Sequence, residues 1–205
     1  SRAGKNLLIE LLESLVKPER GGRPSFTLYH IYVALRELRR EPLGRPTLSR
    51  VLELSDSSVK TLLARLEKRG LVARSRGGAY LTEAGAELLD WLESRLSICE
   101  TSLSIEQWGR VAVITVACVN PPVREVDALA YRDFFISAGC SKAMIGGLVE
   151  KRITMPGLPP DLEEKISSEV SRCVPRDRER LVAIVSYEEL SKACNALLSV
   201  FKQCL

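Results

Sequence analysis

The sequence predicts an α+β protein in two parts, and three observations carry that reading. Up to about residue 69 the apolar side chains recur at helical spacing, and a short strand-turn-strand pattern follows. Beyond residue 109, β-branched runs at 110–119 and 180–187 alternate with amphipathic stretches, as in a small α/β sandwich. Charge divides in the same way. Residues 1–100 hold 17 Lys or Arg against 13 Asp or Glu, and residues 101–205 hold 13 of each, so the net +4 belongs to the first part.

Leu7, Leu8, Leu11, Leu12, Leu15 and Val16 predict a helix over 5–17, stopped by Pro18. A basic loop over 20–25 leads to a second helix over 26–40, with Leu28, Ile31, Tyr32, Leu35 and Leu38 on its apolar side. His30, the single histidine, is read as a surface or packing residue without chemical role. After a loop over 41–46, a short helix over 48–54 is expected, capped by Thr47.

The stretch 55–82 organises the rest. Ser55 or Asp56 can cap a helix that buries Val59, Leu62, Leu63 and Leu66 and ends at Gly70. Its other face carries Asp56, Ser57, Lys60, Thr61, Ala64, Arg65 and Lys68. Residues 71–74 and 79–81 then read as strands around a turn over 75–78, with Arg74 and Arg76 beside Gly77 and Gly78. From Arg20 to Arg76 there are 13 basic residues against 5 acidic ones. That one-sided excess, on a short helix, a turn, a basic helix and a basic hairpin in that order, points to double-stranded DNA. Ser57, Ser58, Lys60, Thr61 and Arg65 are the candidates for base edges or nearby phosphates in the major groove. Arg74 and Arg76 would reach the flanking backbone or minor groove, and Lys68 and Arg69 would meet phosphate.

Residues 47–85, TLSRVLELSDSSVKTLLARLEKRGLVARSRGGAYLTEAG, resemble winged helix-turn-helix regulators of the MarR kind and their archaeal relatives, notably in LEKRGLV and YLTEAG. The resemblance implies a transcription regulator acting as a homodimer, and the lack of a bilayer-spanning apolar run and of a signal-peptide pattern leads to the expectation of a cytoplasmic location. A helix capped by Thr82 and reaching Cys99 would link the DNA-binding part, 1–99, to the rest or to a dimer partner.

In the second part, 100–205, a polar linker over 100–108 precedes the order βαββαβα. It suggests a ferredoxin-like split βαβ domain or another small α/β sandwich. The expected helices cover 123–138, 161–173 (capped by Asp161) and 188–205. The expected strands cover 110–119, 143–149, 151–155 and 180–187. This domain would sense a small ligand or mediate dimerisation. Asn120, Arg132, Asp133 and Lys142 are the candidate ligand-binding residues.

Other functions find little support. There is no phosphate loop and no Gly-x-Ser-x-Gly elbow, and Asp133 could serve as a general base only in a desolvated cleft, so no enzyme is expected. The six cysteines include no CxxC pair, which leaves no metal or other cofactor expected. Buried thiols and disulfides both remain open, without assignable partners. No apolar run is long enough to span a bilayer, so no membrane partner is expected. The alternative to a DNA-binding regulator is a winged-helix adaptor for protein or RNA.

Overall fold

A computed structural model describes residues 2–22 and 24–205. Ser1 and Arg23, the latter within the expected basic loop, lie outside the described residues. The chain divides into two compact units, Ser1–Glu93 and Ser94–Leu205. Both combine helices with one antiparallel sheet. Among the described residues no helix is long and apolar enough to cross a membrane.

The first unit opens with α1 (Arg2–Val16) and α2 (Leu28–Arg40). Thr27 caps α2 through its side chain, and the His30 Nδ1 accepts from the Thr27 backbone N–H at 2.9 Å. His30 is buried and closes a reciprocal capping box, a structural role that the sequence reading did not assign. Helix α3 (Arg45–Leu52) starts earlier than expected. Its N-cap is Gly44, and Pro46 sits in its first turn, where a missing N–H costs nothing; Thr47 is therefore inside the helix. Glu53 takes the left-handed conformation at φ 53°, and the chain turns directly into α4 (Asp56–Lys68).

Strands β1 (Val72–Ser75) and β2 (Gly78–Leu81) form a hairpin in which Val72 faces Leu81 and Ser75 faces Gly78. The expected loop over 41–46 also joins this hairpin. Leu43 and Ala79 exchange backbone hydrogen bonds at 2.9 and 2.8 Å, and a side chain at Gly78 would collide with the Leu43 carbonyl. Helix α5 (Glu83–Arg95) is capped by Thr82, whose Oγ1 accepts from Gly85 N–H at 3.1 Å and donates to the Gly70 carbonyl at 2.6 Å. Gly85 lets α5 approach so closely that a Cβ would overlap the Leu71 carbonyl. Gly70, Thr82 and Gly85, three residues of the LEKRGLV and YLTEAG motifs, thus lock the hairpin to the following helix.

The expected helix to Cys99 ends at Arg95. Residues Leu96–Thr101 form β3, the edge strand of a five-stranded sheet, pairing with β4 (Val111–Ala117) from Leu96↔Val116 to Thr101↔Val111. Next come α6 (Glu125–Ser137), β5 (Lys142–Val149), β6 (Arg152–Thr154) and α7 (Pro160–Val170). They are followed by β7 (Arg180–Ser186), α8 (Leu190–Ala193) and α9 (Leu197–Cys204). Pro159 is the N-cap of α7, so Asp161 lies within its first turn, and the last part of the expected helix is a 3-10 turn, Ser171–Cys173. The expected final helix is likewise broken, by a 3-10 turn at Cys194–Ala196.

The strand order is β3-β4-β7-β5-β6, with every neighbouring pair antiparallel. Strands β4 and β5 therefore run the same way with β7 between them, a split βαβ unit. It is not the ferredoxin-like βαββαβ arrangement, because the hairpin strand β6 stays on the outer edge and the final strand fills the split. On one side, Val111, Val113, Val182 and Ile184 meet Ile166 and Val170 of α7. Helices α6 and α9 pack on β5 and β4 and on each other. Coverage on both faces accounts for the unbroken burial of β4 and β7.

Four cysteines pair as Cys99–Cys173 and Cys118–Cys204, while Cys140 and Cys194 are free and buried. The first bridge ties edge strand β3 to the turn after α7, and the second ties the end of β4 to α9.

Candidate nucleic-acid interface

Helix α4 is built as its sequence pattern requires. The Ser55 side chain accepts from Ser58 N–H at 3.2 Å, Val59, Leu62, Leu63 and Leu66 are buried, and Gly70 follows at φ 70° with Leu71 N–H bonded to the Leu66 carbonyl. At 13 residues it is about 20 Å long. Ser57, Lys60, Thr61, Ala64 and Lys68 lie exposed on its outer face, and Arg69 is exposed at its C-cap. Thr61 Oγ1 donates back to the Ser57 carbonyl at 3.1 Å. Ser58 is half-buried, and its hydroxyl is engaged by Ser25 and, at 2.9 Å, by Ser55.

Arg65 does not join this face. Its Nη1 donates to the Leu15 carbonyl at 2.9 Å and the Lys17 carbonyl at 2.7 Å, its guanidinium lies 5.4 Å from the Phe26 ring centre, and its side chain is only 10% exposed. A cation closing the orphan carbonyls at the end of α1 is favourable in itself. Held by these carbonyls, Arg65 is not presented to a base edge, contrary to the expectation from its place on the helix.

The acids near this surface are largely matched. Asp56 pairs with Arg45 at 3.7 Å, and Glu67 pairs with Arg74 at 2.9 Å. Arg74 is thus braced against α4 while half-exposed. Arg76 occupies the exposed turn between β1 and β2, where Ser75 Oγ accepts from Gly77 N–H and donates to the Gly78 carbonyl. Among the described residues, Lys60, Lys68, Arg69 and Arg76 form no ion pair. Arg45 was not singled out from the sequence, although Pro46 after it marks a helix start and so its place at the α3 N-terminus.

Residues 27–87 match the family described as PH0730-like, N-terminal domain. The matched segment runs from the cap of α2 into α5 and includes every DNA-contact candidate. Over 86% of its length the chain is similar to a solved structure, a hypothetical protein PH0730 from Pyrococcus horikoshii OT3. The identity is 29%, the TM-score is 0.61, and 91% of that chain is covered. No curated protein matches.

Outside the matched segment, the four ligand candidates do not converge. Asn120 follows the C-terminal end of β4, whereas Lys142 begins β5; since β4 and β5 run the same way, the two lie at opposite ends of the sheet. Arg132 and Asp133 are exposed on α6, so the desolvated cleft that a general base at Asp133 requires is missing. Lys142 Nζ instead donates to the Gln107 carbonyl at 2.8 Å. That carbonyl belongs to the rim of a cavity of about 410 Å³ between Trp108, Arg110, Ser141, Ser186 and Tyr187. Its polar groups satisfy one another: Ser141 donates to Ser186 at 3.2 Å, Ser186 to the Trp108 carbonyl, and Arg110 to the Glu188 carbonyl.

The second unit also holds a buried cation that the sequence did not announce. Arg180, 2% exposed, donates to the Arg95 carbonyl and Thr115 Oγ1 at 3.2 Å each, and to Asp177 at 3.0 Å. Burial alone would raise Asp177. The hydrogen bond and charge of Arg180, with its own backbone and Arg178 assisting, outweigh that and hold its carboxyl below the ordinary value of 3.8. Burial pushes the Cys140 thiol up to about 11 and raises Cys194 as well, so both are poor nucleophiles.

Proposed function

We propose that the protein is a DNA-binding transcription regulator whose first unit acts as a winged helix-turn-helix of the MarR kind. Helix α4 enters the major groove through Ser57, Lys60 and Thr61. Lys68 and Arg69 meet phosphate, and the Arg74–Arg76 hairpin rests on the flanking backbone or minor groove. The observation that carries this reading is the charge arrangement. The nearby acids Asp56 and Glu67 are taken up by Arg45 and Arg74, while Lys60, Lys68, Arg69 and Arg76 stand exposed without ion pairs on the two elements that would touch DNA. Unpaired cations displace condensed counterions from phosphate without first breaking an internal contact. The second unit serves dimerisation or senses a small ligand in this reading.

Selection from a random-duplex pool, followed by sequencing of the retained fraction, tests the proposal. An enriched motif, above all an inverted repeat, supports a dimeric sequence-specific regulator. Retention without enrichment, or none at all, rejects sequence-specific binding and favours an adaptor for protein or RNA.

A further inference from the structure

Helix α6 buries Ala128, Tyr131 and Phe135 and turns an apolar face outward. Val126 is 65% exposed, Leu129 46% and Ile136 38%, and Val119 and Val123 just before the helix are exposed as well. Single exposed apolar residues are ordinary, but five within 18 residues of chain, three of them on one helix, make that helix a candidate interface. Within this face stand two opposite charges, Arg132 and Asp133, exposed and, among the described residues, in no ion pair. The Arg124–Asp127 pair at 2.8 Å, by contrast, is satisfied within the helix.

We propose that this face binds a second copy of the same chain, with two α6 helices packed antiparallel about a twofold axis passing between positions 132 and 133. Such an interface brings each patch against itself, so every contact occurs twice. Positions equidistant from the axis oppose one another: Arg132 meets the partner's Asp133, and Leu129 meets the partner's Ile136. The patch is self-complementary in charge as well as apolar, which is what selects a second copy over an unlike partner. This face lies on α6, outside the elements proposed to contact DNA, and is tested without DNA, so its failure is distinct from failure of the DNA-binding proposal.

Sedimentation velocity over a protein dilution series reads the association directly. The wild-type chain is expected to dimerise, and Leu129→Glu to weaken the dimer at least tenfold while far-UV circular dichroism stays unchanged. Arg132→Glu and Asp133→Arg should each weaken it too. An equimolar mixture of these two single variants should form a heterodimer, and the double variant R132E/D133R should dimerise again, because both restore opposite charges across the axis. A wild-type monomer at about 100 μM, far above the usual range of specific affinities, overturns the proposal. A dimer indifferent to Leu129→Glu, or single-variant losses that neither mixing nor the double variant repairs, overturn it as well.

Discussion

The Arg65 guanidinium donates to the Leu15 carbonyl at 2.9 Å, so a side chain of α4 closes the C-terminal end of α1. The same group reaches the Lys17 carbonyl and stacks near Phe26, which fixes α1 on the helix proposed to contact DNA. Arg65→Ala should therefore lower the stability of the first unit by about 1.5–3 kcal/mol, the range for hydrogen bonds to a charged group. Arg65→Lys should recover part of this, since one ammonium cannot reproduce the planar fork. Thermal denaturation checks both. At temperatures where the variant stays folded, its duplex affinity should match wild type; a selective loss of sequence preference would return Arg65 to the DNA face.

His30 makes a second local prediction. His30→Ala removes the acceptor for Thr27 N–H and should cost about 1 kcal/mol, whereas His30→Gln, able to reach back in the same way, should cost less. Urea unfolding of the two variants separates capping from simple packing, which would penalise both alike.

The paired cysteines predict a thiol count. Under denaturing conditions without reductant, alkylation and mass measurement should find Cys140 and Cys194 labelled and the other four protected; with reductant all six should react. The bridges close sequence separations of 74 and 86 residues, so each should contribute about 4.5 kcal/mol in the chain-entropy account. Reductant should lower the melting temperature of the second unit.

Asp177 sets an acid dependence. Its folded value lies below the ordinary 3.8, so its contribution is present above about pH 4 and is lost as pH falls through 3.8 toward the folded value. Asp177→Asn should lower stability at neutral pH and flatten the acid side of the stability profile below pH 4. An unchanged slope in that window would mean that Arg180 gains nothing from this carboxylate.

Much of this architecture was legible because its determinants are local. The Ser55 cap, the four-residue apolar stripe and Gly70 specify α4, and the β-branched runs of β4 and β7 announce buried strands. The strand at Leu96–Thr101 is hidden from local pattern because Leu88, Leu92 and Leu96 continue a helical spacing as far as Cys99, while Leu96 and Ile98 equally fit a strand and Glu100 and Thr101 resemble a linker. Pairing with β4 decides between them, and that contact is distant in sequence. The same holds for the candidate site. Exposure of Lys60 and Arg76 follows from local pattern, but Arg65 is drawn inward by carbonyls some 50 residues earlier, and Asn120 and Lys142 are separated by a sheet order that periodicity does not encode.

Fluorescence-anisotropy titration of a duplex at several salt concentrations decides whether α4 and the hairpin bind DNA, comparing wild type with Lys68→Ala, Arg76→Ala and their combination. Wild-type binding should weaken steeply with salt. Each substitution should lower the affinity and reduce the slope of log K against log salt by about one. No duplex binding at low salt, or binding whose affinity and slope survive loss of both cations, would contradict the DNA-binding proposal.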